Sequence, residues 1–115
     1  MTITAPTIGV PQLTAAGALL SILSANATLP GPHVTLHIVV PGGDDRPSQW
    51  GVELTLEDDP AGFEQWRTAL GIDLTAVRSD HCDLTAWLIT RTVRAGVPVT
   101  LVVYFDRPDP DDEDE

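Results

Sequence analysis

Three groups of residues carry side chains that could do chemistry. His33 and His37 stand four apart, and on a helix that spacing would turn two imidazoles toward one metal ion. They lie, however, in HVTLHIVV (residues 33 to 40), whose alternation of apolar and polar side chains has the period of a strand. At ~3.3 Å per residue the two rings are then ~13 Å apart and cannot chelate one ion. The second group is the consecutive run Ser79, Asp80, His81, Cys82 and Asp83, which contains the residue types of a nucleophile, a base and an orienting group. Neighbours in a turn rarely converge on one point, and no glycine motif that could form an oxyanion hole accompanies them. The third group, Asp44, Asp45, Glu57, Asp58 and Asp59, lacks the spacing of a calcium loop, and Asp58 or Asp59 has a simpler use as a helix cap. These residues therefore point to no catalytic centre, no cofactor and no metal.

The elements that hold these groups follow from periodicity. Residues 11 to 27 make a first helix, with Leu13, Ala16, Leu20 and Leu23 along one stripe and Leu19 and Ile22 widening it. It is closed by Pro30, Gly31 and Pro32. In the strand at 33 to 40, Val34, Leu36, Ile38 and Val40 face one way and His33, Thr35, His37 and Val39 the other. A turn-rich PGGDDRPSQ leads to a second alternating strand, with Trp50, Val52, Leu54 and Leu56 inward and Glu53, Thr55 and Glu57 outward. Matching Val40 with Trp50 in an antiparallel pair sets His37 opposite Glu53 and His33 opposite Glu57. That gives two exposed pairs worth a few tenths of a kcal/mol each. A second helix spans 59 to 70, with Asp58 or Asp59 as cap, Pro60 at its first position and Gly71 as its stop. Phe63, Trp66 and Leu70 line its inner face, with Ala69 beside them. Thr75 to Ser79 is a weaker strand, and the run from Asp80 to Asp83 is a turn.

The last stretch, LTAWLITRTV, RAG, VPVTLVVYFD, is a β-hairpin. A three-residue loop centred on Ala95 pairs Ile89 with Leu101, Trp87 with Val103 and Thr85 with Phe105 on the core face. The outer face then pairs Leu88 with Val102 and Ala86 with Tyr104. The expected fold is α+β, with two helices packed on an antiparallel sheet of four to five strands, in the order αββα followed by a β-meander. Residues 1–10 are expected to be a flexible N-terminus, 11–106 a single domain, and 107–115 a disordered acidic tail.

Charge narrows the partners. The 115-residue chain has six arginines, no lysine and a formal charge of −11; removing the six acids at positions 109 to 115 takes this to −5. Such a balance argues against direct nucleic-acid binding, which needs clustered cations to displace counterions. Cys82 is the sole cysteine, so no intrachain disulfide forms. No leader-like segment and no apolar run of ~18 residues precedes the domain, and the expectation is a cytoplasmic protein away from membranes.

The segments FEQWRTALGI, TAWL and GVPVTLVVYFD resemble small actinobacterial proteins, often carried on mobile or accessory elements, whose function is unassigned. The resemblance implies a fold and carries over no activity. Three function classes remain. The first is a small non-enzymatic interaction or regulatory module that works through an exposed sheet face, with His33, His37, Leu88, Val102 and Tyr104 as its surface and a protein partner, a homodimer included. The second is an acidic inhibitor that mimics nucleic acid against a defence or other DNA-handling protein. The third is a small hydrolase-like enzyme, the least favoured.

Overall fold

The computed structural model describes residues 10–39 and 49–106. The expectations for both termini, for Val40, and for Asp44 and Asp45 in the loop before the second strand lie outside those residues. The order is α1 (Val10–Ala25), β1 (His33–Val39), β2 (Gln49–Glu57), α2 (Pro60–Ala69), a 3₁₀ turn (Leu74–Ala76), β3 (Arg78–Cys82), β4 (Thr85–Arg94) and β5 (Val97–Asp106). Two helices cover a five-stranded sheet of order β1-β2-β5-β4-β3, so the α+β class is as the periodicity implies. The sheet is mixed, though, where an antiparallel one was expected. β1 and β2 form an antiparallel pair, the chain crosses over through α2, and β3, β4 and β5 return as a meander. The meander ends with β5 beside and parallel to β2.

β5 is thus the middle strand, and its composition fits that place. VPVTLVVYF is apolar almost without interruption, as suits a strand with neighbours on both edges. Val97, Val99, Leu101 and Val103 form the core with Val52, Leu54 and Leu56 of β2. Over them lie Ala15, Ala18 and Ile22 from α1 and Phe63, Trp66 and Leu70 from α2.

α2 follows its sequence signals closely. The Asp59 carboxylate accepts from the Gly62 N–H at 2.9 Å, and Pro60 occupies the first turn. At the other end Gly71 takes φ +71°. Its N–H donates to the Thr68 carbonyl and that of Ile72 to the Arg67 carbonyl, the paired bonds of a Schellman stop. Arg67 also donates to the Ile72 carbonyl and to both Glu64 oxygens, which holds the Glu64 carboxyl below its usual range. Trp66 is 1% exposed, and its indole N–H donates to the Pro30 carbonyl at 2.7 Å, fixing α2 to the connection between α1 and β1. Ala69, expected beside this inner face, is exposed.

α1 is rotated from its expected stripe. Ala15, Ala18 and Ile22 are buried, while Leu13 and Leu20 are 64% and 67% exposed. The helix is apolar on every side, so its periodicity selects no face; the small alanines lie where it meets the sheet.

β3 also departs from expectation. Leu74, Thr75 and Ala76 turn as a 3₁₀ helix capped by Asp73, whose carboxylate accepts from the Thr75 N–H and hydroxyl. The strand begins only at Arg78 and runs through the residues expected to be a turn. All five of its side chains are exposed, because it is an edge strand beyond the helices, and no apolar alternation betrays it.

Candidate interaction surface

The geometry of the β4–β5 turn decides which residues face away from the helices. Arg94 pairs with Val97, so the loop contains only Ala95 and Gly96, at φ +51° and +77°. Two consecutive positive φ values are the mark of a type I′ turn, whose twist matches that of the strands it joins. The three-residue loop expected from the sequence would have set the register one residue away. That single step turns β4 over relative to β5. Leu88 pairs with Val103 and Thr90 with Leu101 on the helix-covered face, while Trp87 pairs with Tyr104 and Ile89 with Val102 on the other.

Of the five expected surface residues, four are on the helix-free face and Leu88 is not. Leu88 packs against the core under the helices. Trp87 and Ile89 take its place, and the sequence reading had assigned both to the core. Tyr104 is 41% exposed, and its ring lies 6.0 Å from that of Trp87 at 54°, a tilted aromatic pair. Val102 points the same way but is 2% exposed, standing between Thr55 of β2 and Ile89 of β4. It is a floor residue of this surface and touches little solvent.

His33 and His37 also face this side, from the edge strand β1, but without the expected glutamate partners. β1 is shifted by two residues, so His33 lies opposite Thr55, Thr35 opposite Glu53 and His37 opposite Gly51. The even shift preserves the inward apolar row, and parity alone could not choose between the two registers. Glu53 instead accepts from the Thr55 hydroxyl at 3.2 Å. The Nδ1 of His37 is buried and has no partner among the described residues.

The run at 79–83 does not assemble a triad. Its residues alternate across β3: Ser79 and His81 pair with Leu88 and Ala86 on the helix side, Asp80 and Cys82 with Trp87 and Thr85 on the open side. The Asp80 carboxylate accepts from the His81 backbone N–H at 2.8 Å, an orientation that serves the strand. Asp59 is engaged as the cap of α2, and Asp58 takes φ +56° and donates its N–H to the Tyr104 carbonyl at 2.8 Å.

Two cavities compete for attention. One of about 560 Å³ lies between α1, the end of α2 and the hairpin tip, walled by Gly17, Ala18, Ile22, Leu70 and Arg94. Its one guanidinium already donates to the Leu70 carbonyl, and small side chains make up most of the rest. The other, about 480 Å³, opens at the β3–β4 margin of the open face, lined by Ala76, Arg78, Ile89, Thr90 and Arg91. Neither Arg78 nor Arg91 meets a carboxylate among the described residues, whereas Arg67 pairs with Glu64 on α2.

The open face therefore has a definite layout. An apolar centre (Trp87, Ile89, Val102, Tyr104) is bordered by the acids Glu53 and Glu57 of β2 on one side and by Arg91 and Arg78 on the other, with Asp80 of β3 and Asp106 of β5 at the end near Trp87 and Tyr104. Sequence reasoning missed Trp87, Ile89, Arg78 and Arg91. A signal for them was present in Ala95-Gly96, since Gly in the second loop position suits a two-residue turn. Among the described residues no helix is long and apolar enough to cross a membrane. No family model, curated protein or solved structure matches this chain.

Proposed function

We propose that this chain is a small, non-enzymatic protein-interaction module of the cytoplasm that works through the helix-free face of its sheet. The observation that carries this reading is the Trp87–Tyr104 pair with Ile89 beside it, on a face that no described element covers. Both helices are committed to the opposite face. Clustered aromatic and aliphatic side chains beside charged ones match the composition of contact surfaces, where Trp, Tyr and Arg are enriched. The alternative of a nucleic-acid mimic would need carboxylates held at phosphate-like spacing; on this face Glu53 and Glu57 share the surface with Arg78 and Arg91, which weighs against it.

The test compares the full-length chain with Ile89→Glu and Tyr104→Glu after confirming unchanged far-UV circular dichroism. Both substitutions should abolish binding to whichever protein, another chain or a second copy, the wild type holds. Retention of every partner by both folded variants would contradict the reading.

A further inference from the structure

The charges on the open face are sorted by strand, and that sorting chooses a partner. Glu53 and Glu57 lie on β2, Arg91 on β4 and Arg78 on β3, with Thr100, Val102 and Tyr104 of β5 between them. Asp80 on β3, beside Trp87, and Asp106 at the end of β5, opposite Thr85, are the exceptions, and His33 and His37 occupy the far edge. We propose that the face binds a second copy of this chain, related by a two-fold axis that runs along β5. This rests on the reading of the open face as a contact surface and adds the occupant and its orientation.

Two sheets that meet face to face around a two-fold axis have two simple arrangements. An axis across the strands lays β2 on the partner's β2 and β4 on its β4. Acids then face acids and arginines face arginines, and like charges brought together disfavour the complex. An axis along β5 reverses left and right but keeps each cross-strand row level. β2 then lies over the partner's β4. Glu53, Thr100 and Arg91 form one such row, so Glu53 of each copy meets Arg91 of the other across a central Thr100. Facing sheets are ~10 Å apart, a gap that a glutamate and an arginine can close from opposite sides.

The rows between Val93 and Tyr104 fit the same operation. Tyr104 meets Tyr104 on the axis, with the buried Val102 in the floor of each sheet. Asp106, the last residue of β5 on this face, meets its own copy at the rim of the sheet, a like-charge contact that the paired Glu53 and Arg91 contacts must outweigh. Glu57, in the row of Tyr104 and Trp87, faces the indole, whose N–H can donate to it. Val93 pairs with Pro98, and Gly51 precedes the Val52–Val99 pair, so these residues are nearly level. Val93, 63% exposed, would then project over a residue without a side chain. Packed sheets are rotated by about 30°, which preserves this matching within one strand of the axis and blurs it at β1 and β3. The five strands span roughly 24 Å at ~4.8 Å each, a footprint on the scale of the ~800 Å² per partner that stable complexes bury.

Sedimentation equilibrium of the full-length chain tests the arrangement with E53R, R91E, the double variant E53R/R91E, and an equimolar mixture of the two single variants. Each single variant sets like charges against each other at both symmetric contacts, and its dimer dissociation constant should rise at least tenfold. The double variant should return to near the wild-type value. It also lacks the Glu53–Thr55 bond, so its recovery excludes loss of that bond as the cause. The mixture should form a heterodimer at near wild-type affinity, because both of its contacts again join opposite charges. Single variants that dimerise like the wild type, or a mixture that fails to pair, would overturn the axis along β5. If Ile89→Glu disrupts the dimer while the charge swaps do not, the contact surface stands and this orientation falls. If Ile89→Glu leaves the dimer intact, the reading of the surface itself falls. A wild type that stays at 12.3 kDa up to millimolar concentration overturns the second copy as partner.

Discussion

The two faces of the central strand differ in what closes them. On one side Val97, Val99, Leu101 and Val103 lie beneath α1 and α2, each no more than 4% exposed. On the other, Thr100 and Val102 are nearly as buried, yet no described helix lies above them. Beside them in the sheet register, Trp87, Ile89, Tyr104 and Arg91 carry larger side chains on the same face. The first face accounts for folding. The second contains aromatic area and two guanidinium groups that meet no carboxylate among the described residues, and for that reason the proposed contact is placed on it.

Substitutions can break this contrast at several strengths. Trp66→Ala, on the helix-covered side, should cost ~3–5 kcal/mol in urea unfolding, for the cavity and the lost contact with Pro30. Trp87→Ala, on the open side, removes a residue of the same size that is only half-buried and should cost less than about 2 kcal/mol. Equal losses at the two tryptophans would mean that the open face contributes to the core as the closed face does. Asp59→Ala removes the cap that starts α2 and should lower stability by ~1 kcal/mol. The turn that sets the faces can be probed in the opposite direction. Ala95 holds a left-handed φ of +51°, so Ala95→Gly should stabilise by about 0.5–1 kcal/mol, whereas an ordinary backbone there would make the same change unfavourable. Leu20→Gln, on the outer side of α1, should change stability by less than about 0.5 kcal/mol.

The class of fold, the element order and α2 were legible because their signals are local. Asp59, Pro60 and Gly71 each act within a few residues of themselves, and the alternation in β1 and β2 marks an inner and an outer row. What was hidden depends on choices that local pattern leaves open. α1 offers apolar residues on every side, so contact with the sheet chose Ala15, Ala18 and Ile22 over Leu13 and Leu20. β1 against β2 could slip by two residues without turning any side chain over, which removed the expected His33–Glu57 and His37–Glu53 pairs. In β4, LTAWLIT is apolar on both faces, so the loop alone decided between Leu88 and Ile89. The parallel β2–β5 pair joins residues far apart in the chain, and only the two-sided apolar character of β5 hints at it. The layout of the candidate surface was half legible: His33, His37, Val102 and Tyr104 lie on the helix-free face as the alternation implied, whereas Leu88 lies on the covered face and Trp87 and Ile89 on the open one.

The division of labour between the faces is tested most directly by urea unfolding of Leu88→Glu beside Ile89→Glu, two neighbours separated only by the side of the sheet they occupy. A charge at Leu88 faces the packed core and should cost about 2–4 kcal/mol, whereas a charge at Ile89 should leave stability within about 1 kcal/mol of the wild type. If instead Ile89→Glu unfolds the chain and Leu88→Glu is tolerated, the hairpin has the other register and the surface described above is the wrong one.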